Sequence, residues 1–540
     1  MSADFPWWRE GVIYQIYPRS FVDSNGDGLG DLPGITSRLD YLADLGVSAL
    51  WLSPFYPSPD ADFGYDVSDH TDVDPRMGTL ADFDELLAQA HQRGLRIVID
   101  MVLNHTSDQH PWFLASRSSR ENPKRDWYIW RDGAPGGKPP NNWQASFGGG
   151  AWEFDSATGQ YYLHSFLKEQ PDLNWRNPQV RQAQLEVFRF WLERGVDGFR
   201  LDVFNAYFKD AQFRDNPTKF GLRGFDRQEH LYDMDQPEMI PFLQELRTLL
   251  DSYPERYAVG ETYLATPEKI TRYTGDDRLH AAFSFDFTGN MLSFPWNARY
   301  VAEQITRREQ ILGENGLWPT TVLSNHDLPR AASRYCQGER DQQACQALTL
   351  LLTLPGTPFM YYGEEIGMRD IALKRSEILD PPGKKYWPVY RGRDGCRSPM
   401  QWSDAPQAGF SSAKPWLPVH PNYLERNVAA QQENPNSSFN LTQRLMGLRR
   451  AYPALRRGSL RIFFRADTGV FAFERRLGDE RILVYLNFTN RTRPVSFVRE
   501  ADPEQALLLL STAGRKEFYT SYHQFVLNPY EILLVEAKNP

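Results

Sequence analysis

The run Gly198-Phe199-Arg200-Leu201-Asp202 sets a cation and an acid two residues apart. In a strand, successive side chains point to opposite faces, so Arg200 and Asp202 share one side and Phe199 and Leu201 the other. An arbitrary Arg-x-Asp is ordinarily an exposed surface ion pair. Here an amphipathic helical run precedes it and helical segments follow, which places the strand in a β/α series whose outside is covered by helices. The charged side then faces a barrel interior, at the strand end where barrel enzymes keep their chemistry.

Other apolar runs finish in the same way: one with Asp100 and Asn104-His105, one with Glu261, one with Asn325-His326-Asp327. A single acid after a strand is most often a helix N-cap. Several acids at one end of one barrel are costly to bury together unless the site uses them. Glycoside cleavage needs such a set: one carboxylate attacks the anomeric carbon, a second carboxyl protonates the leaving oxygen, and further acids steady the oxocarbenium-like transition state. Arg200 beside Asp202 is expected to hold that acid ionised. Glu261, outside that pairing on the next strand, is free to act first as acid and then as base.

The elements that must carry these groups alternate along the chain. Strand-like runs at 11–17, 47–52, 96–102, 198–203, 257–261, 281–287, 320–325 and 357–362 are interleaved with helical patterns near 32–45, 80–92, 178–195, 239–252, 340–354 and 438–451. Thr79-x-x-Asp82 opens the second helix like a capping box and Gly94 closes it. Eight such strands predict an α/β fold, a (β/α)8 TIM barrel. Residues 105–174, rich in Trp, Gly, Asn and Pro, are too long for a bare loop and read as an inserted subdomain after the third strand. The barrel then comprises 1–104 and 175–457, and 366–436 is a second irregular excursion. From 458 to 540 period-two alternation without helices predicts a C-terminal antiparallel β domain, a small sandwich.

Composition supports an enzyme-sized, loop-rich protein. The 540 residues are 41% hydrophobic and 14% aromatic, with 38 Gly and 38 Pro spread through the chain, which excludes a repeat or a disordered protein. A formal charge of −9 without basic clusters argues against nucleic acid as a partner. Cys336, Cys345 and Cys396 have no metal-ligand spacing and read as inert thiols. The N-terminus lacks a signal-peptide pattern and no apolar run is long enough to span a membrane, so the expectation is a cytoplasmic protein, monomer or homodimer, with no membrane partner.

Asp100-Met101-Val102-Leu103-Asn104-His105, Gly198-Phe199-Arg200-Leu201-Asp202, Val259-Gly260-Glu261-Thr262 and Ser324-Asn325-His326-Asp327 resemble, in that order, the four signature regions of the α-amylase superfamily, glycoside hydrolase family 13. Gln170-Pro171-Asp172-Leu173-Asn174-Trp175 and Arg397-Ser398-Pro399-Met400-Gln401-Trp402 resemble motifs of its oligo-1,6-glucosidase and α-glucosidase branch. The resemblance implies Asp202 as nucleophile, Glu261 as general acid/base and Asp327 as the residue that grips the 2- and 3-hydroxyls of a glucose. It makes Arg200, His105 and His326 further sugar-site residues. Asp62-Phe63-Gly64-Tyr65-Asp66 resembles the stretch that closes the pocket, with Asp62 binding the 4- or 6-hydroxyl together with Arg397 and Tyr65 stacking under the ring. Phe147, Phe166 and Phe287 look like aromatics of the pocket wall.

A plugged pocket implies exo action on small α-glucosides. Val203 resembles members that cleave 1,6-linkages, whereas the long 204–239 loop resembles α-glucosidases strict for short α-1,4 substrates such as maltose. A glucosyl-enzyme also permits transfer to alcohol or phenol acceptors. Oligo-1,6-glucosidase, trehalose synthase and sucrose-cleaving transferase are the alternatives, and a non-catalytic amylase-like protein is disfavoured by the full acid set. The loop Asp23-Ser24-Asn25-Gly26-Asp27-Gly28-Leu29-Gly30-Asp31 places oxygen donors at alternate positions, as Ca2+ loops do. It resembles the branch's loop for a structural Ca2+ or Mg2+, held by Asp23, Asn25, Asp27, Leu29 and Asp31. No organic cofactor is implied.

Overall fold

The computed structural model describes residues 5–264, 266–288, 296–336, 341–464, 469–496, 505–517 and 524–538. Eight parallel strands form the centre: β1 (Ile13–Ile16), β2 (Ala49–Leu52), β3 (Arg96–Met101), β4 (Gly198–Leu201), β5 (Tyr257–Gly260), β6 (Ala281–Ala282), β7 (Thr320–Val322) and β8 (Thr357–Tyr361). Their hydrogen-bonded order is β7-β8-β1-β2-β3-β4-β5-β6, a nearly closed barrel. A side chain bridges the remaining seam: Thr320 Oγ1 donates to the Ala282 carbonyl (3.1 Å) and accepts from Ser284 N (3.0 Å).

Period-two alternation sorts the strand residues. Phe199, Leu201, Ile97 and Ile99 face the helices and are fully buried there, each worth about 1.5–3 kcal/mol of burial. Ile13, Trp51, Val98, Val259, Val322 and Phe359 fill the barrel interior. Above this apolar plug the next inward residues are polar: Gln15, Asp100 and Arg200, all about 1% exposed or less. The Arg200 guanidinium lies over the Trp51 ring at 5.2 Å, so the plug also supports the charge. Gly260 must be glycine, because a Cβ there would meet Phe204 at 2.4 Å and Leu279 at 2.6 Å. That close approach sets the height at which Glu261 leaves its strand.

The helix over 80–92 starts with the Thr79–Asp82 capping box. The single helix expected over 32–45 is two, Leu32–Thr36 and Leu39–Leu45. The Thr36 and Ser37 hydroxyls donate back to the carbonyls of Leu32 (3.0 Å) and Gly34 (2.7 Å), local bonds that compete with a continuous ladder.

Within 105–174 a three-stranded antiparallel sheet forms from Trp130–Arg131, Trp152–Asp155 and Gln160–Leu163. The insertion starts and returns at one point, where His105 and Asp172 form an antiparallel bridge. Beyond the barrel, five antiparallel strands (Ser459–Phe464, Val470–Leu477, Glu480–Asn487, Ile532–Lys538, Gln505–Ser511) form one sheet, and Arg493–Ser496 pairs with Gln524–Leu527. Phe525 and Leu527 of that pair pack on Val470, Tyr485, Leu533 and Val535 of the larger sheet. The sheet is fixed to the barrel by buried polar bonds, among them Arg475 to the carbonyls of Leu455 (3.0 Å) and Thr353. Among the described residues no helix is long and apolar enough to cross a membrane.

Candidate active site

Register brings the acids together. Asp100 of β3 pairs with Arg200 of β4, and Arg200 with Val259 of β5, so residues beyond these strand ends emerge side by side. Arg200 Nη1 donates to Asp100 Oδ1 (2.7 Å) and to Asp202 Oδ1 (2.7 Å), while Nη2 donates to Glu261 Oε2. One guanidinium therefore bridges three carboxylates. The sequence reading set Glu261 outside the Arg200 pairing; adjacency of β4 and β5 puts it inside. Val203, next to the nucleophile candidate, has φ 35°, a conformation costly for a β-branched residue, and its N–H lies 3.4 Å from Glu261 Oε2.

Sharing one cation among three acids changes the electrostatics expected for Asp202. Burial raises its carboxyl well above the usual range, Arg200 opposes this, and Glu261, Asp100 and Asp327 add to the rise. The Asp100 carboxyl is likewise pushed up by burial, to about 6, against the pull of Arg200. The nucleophile must be ionised to attack, so the rise at Asp202 bears directly on activity. Because burial and the neighbouring acids raise Asp202, activity is expected to fall on acidification at a pH above that of an ordinary aspartate. A profile of kcat/KM against pH checks this, and an acid limb near 4 would contradict it.

Asp327 stands opposite. Its side chain keeps 32% of its surface. It accepts from Arg397 Nη2 (2.9 Å) and Arg393 Nη1 (3.2 Å), with His326 Nε2 at 3.4 Å. Burial works to raise its carboxyl, but His326, Arg393, Arg397 and Arg200 outweigh burial and hold it below the usual carboxylate range. His326 Nδ1 faces the Gln15 amide nitrogen (2.8 Å), which also donates to Ser53, so Nδ1 accepts and the ring proton sits on Nε2. Burial keeps that ring neutral, lowering it to about 3.

Tyr65, expected at the pocket floor, stacks its ring on His326 at 5.1 Å and donates its hydroxyl to Asp100 Oδ2 (3.0 Å). Asp62 is 3% exposed. Its cation is Arg393, whose Nη2 lies 2.5 Å from Asp62 Oδ1 and 2.7 Å from Asp380 Oδ1. Arg397 donates Nε to the His326 carbonyl (2.7 Å), and the two arginines share Asp327. Arg393 was missed in the sequence, although the spacing Arg393-x-x-x-Arg397 before Ser-Pro-Met-Gln-Trp was there to read.

Phe147 lies under the Arg393 guanidinium at 4.7 Å and packs edge-on against Phe166, which in turn contacts His105 at 5.3 Å and Tyr263 at 6.0 Å. These residues form one wall. Phe287 does not join it. Its ring is 1% exposed in the main apolar core and its carbonyl accepts from Tyr335, so it offers no face to a ligand.

In the Asp23–Asp31 loop the side chains turn to their own backbone. Asp23 accepts from Gly26 N (2.7 Å) and Gly28 N (2.8 Å), Asn25 from Asp27 N (2.9 Å) and Asp27 from Leu29 N (2.8 Å). Asp31 caps the following helix through Gly34 N (2.6 Å). The donors, all oxygen, suit a hard cation. Among the described residues, however, no three acidic, His or Cys side chains gather as metal ligands, so the loop as folded does not converge its carboxylates.

Comparison with known proteins agrees with this geometry. The family model for the α-amylase catalytic domain matches residues 15–458. A probable α-glucosidase of Rhizobium meliloti (strain 1021) is 46% identical over 505 residues, 91% of each chain. An oligo-1,6-glucosidase of Parageobacillus thermoglucosidasius is 42% identical over 516 residues, 90% of this chain and 91% of that one. The crystal structure of an α-glucosyl transfer enzyme superposes with a TM-score of 0.92 at 41% identity, covering 99% of this chain and 100% of that one.

Proposed function

The chain belongs to the α-amylase family of glycoside hydrolases, and from that premise we propose that it is a retaining, exo-acting α-glucosidase for short α-1,4-glucosides such as maltose. The observation that carries this reading is the single guanidinium of Arg200 bridging Asp202 and Glu261. Two carboxylates joined by one planar cation are close together. That suits the separation of about 5–5.5 Å in retaining enzymes better than the roughly 6.5–9.5 Å that inverting enzymes need for an interposed water.

In this mechanism Asp202 attacks the anomeric carbon while Glu261 protonates the leaving oxygen, giving a glucosyl-enzyme. Glu261, now the base, then takes a proton from the incoming hydroxyl, and Asp202 leaves. Asp327, held ionised by Arg393 and Arg397, hydrogen-bonds the sugar hydroxyls beside the reacting carbon. The buried Asp62–Arg393 pair closes the pocket behind the terminal glucose, so one residue is removed at a time. Water or an alcohol or phenol acceptor takes the glucosyl group, and the aromatic wall of Phe147, Phe166 and Tyr263 favours acceptors with an apolar face.

The oligo-1,6-glucosidase reading is supported by Val203 and by relatives of that name. Initial rates on maltose, isomaltose, trehalose and sucrose, with products analysed in the presence of a phenolic acceptor, separate the two. Maltose is expected to be the best substrate and a glucosylated phenol to accumulate. Isomaltose turned over faster than maltose would overturn the α-1,4 assignment.

For the Asp23–Asp31 loop the proposal of a structural Ca2+ or Mg2+ rests on donor chemistry alone. A chelator is expected to lower Tm while leaving kcat/KM at 25 °C intact. An unchanged Tm would dismiss the ion.

A further inference from the structure

We propose that Lys209 is a positioning residue for the glucose pocket, fixing through Asp172 and Asn104 the orientation of His105. The proposal rests on reading the Asp62, Tyr65 and His105 side of the pocket as the terminal-glucose site.

Lys209 follows β4 in the chain and is 1% exposed. Its Nζ lies 2.9 Å from Asp172 Oδ2, 3.2 Å from Asn104 Oδ1 and 3.1 Å from Ser165 Oγ, and also donates to the Ala206 carbonyl. Asp172, fully buried, accepts from Asn104 Nδ2 (3.1 Å), Ser165 N (2.9 Å) and Ser165 Oγ (2.5 Å). Three segments meet there: the exit of β3, the return of the inserted subdomain and the connection after β4. A buried ion pair yields little net stability over an apolar replacement. A geometric task accounts for it better.

That task is to hold one carboxamide. A lysine only donates and an ionised aspartate only accepts. Placed at the two ends of the Asn104 amide, they fix its oxygen toward Lys209 and its nitrogen toward Asp172, since the flipped amide would meet repulsion at both ends. The fixed Nδ2 also reaches His105 Nδ1 (3.2 Å). His105 Nδ1 must then accept, which puts the proton of the neutral ring on Nε2, where it donates to the Tyr65 carbonyl (3.0 Å). Burial keeps the ring neutral, at about 4.

The opposite tautomer has a ready partner. Gln170 Nε2 lies 3.1 Å from His105 Nε2, and the Gln170 amide is itself oriented by Leu167 N donating to its oxygen (3.0 Å). If Asn104 were free to flip, Gln170 would donate to Nε2 and the bond to the pocket floor would be lost. Gln170 Nε2 also reaches Asp62 Oδ2 and the Tyr65 carbonyl, both at 3.3 Å, so the change would disturb the groups that hold the sugar. Lys209 decides between these two arrangements.

The test separates this role from charge compensation. Lys209→Met leaves the Asp172 carboxylate buried and unpaired, so Tm is expected to drop. The double variant Lys209→Met with Asp172→Asn removes both charges and should recover much of that loss. Its amide 172 has no preferred end, so competitive inhibition by glucose is expected to stay about tenfold weaker than in the parent, the size of one lost buried hydrogen bond. Asn104→Ala, which keeps the ion pair, should show the same weakening. A double variant that regains both Tm and the parent Ki for glucose, or an Asn104→Ala enzyme with the parent Ki, would overturn the proposal. A parent enzyme that glucose does not inhibit competitively would instead overturn the pocket reading beneath it.

Discussion

Asp202→Asn is expected to lower kcat by about 10^4-fold or more on both maltose and p-nitrophenyl α-glucoside, with the fold intact. The two substrates differ in leaving group, and loss of the nucleophile silences both. Asparagine keeps an oxygen for Arg200 Nη1, which now bonds Asp202 at 2.7 Å, so the cation is not orphaned. It also removes one member of a crowded acid set in which burial and like charges already raise the carboxyl. Tm should therefore stay the same or rise, as happens when an active-site strain is relieved. Circular dichroism melting beside the two kinetic assays checks both halves. Substantial hydrolysis of either substrate by the variant would refute the nucleophile assignment.

Glu261→Gln should split the two substrates instead. Nitrophenolate leaves without a proton, so the first step on the aryl glucoside survives, whereas the sugar leaving group of maltose needs protonation and its turnover should fall by about 10^2–10^4-fold. The second step on either substrate lacks its base, so the glucosyl-enzyme accumulates. Stopped-flow traces of nitrophenol should show a burst followed by slow turnover. Glutamine still accepts from Arg200 Nη2, which protects the fold as before. Equal loss on both substrates, without a burst, would assign Glu261 to binding rather than to proton transfer.

Much of the architecture was written in local patterns. Short apolar runs between helical stretches gave every barrel strand, and the Thr79–Asp82 spacing gave a helix start with its mechanism. The placement of Asp202, Glu261 and Asp327 at strand ends was legible from the apolar runs that precede them, whereas their roles came from the family resemblance. What stayed hidden depends on distances between segments far apart in the chain. Arg393 and Asp62 are 331 residues apart, and only the folded excursion after β8 shows which of two arginines reaches the floor. Phe287 was a wall residue by family resemblance, yet the path of its loop buries it in the core. The sharing of Arg200 among three acids also escaped a reading of single strands, since it is a property of β3, β4 and β5 in register. Lys209 carried no motif at all. Its partners Asn104 and Asp172 belong to two separate segments that the insertion of 105–174 brings together.

The central claim is that Asp202 bonds covalently to glucose while Glu261 moves the proton. Its most direct test is mass spectrometry of the Glu261→Gln enzyme quenched during turnover of p-nitrophenyl α-glucoside, with peptide mapping. The account predicts one glucosyl unit attached, located on Asp202, and an α-configured glucose as the first product of the parent enzyme by NMR. An enzyme that carries no label, or carries it on another residue, while the parent releases β-glucose, would contradict it.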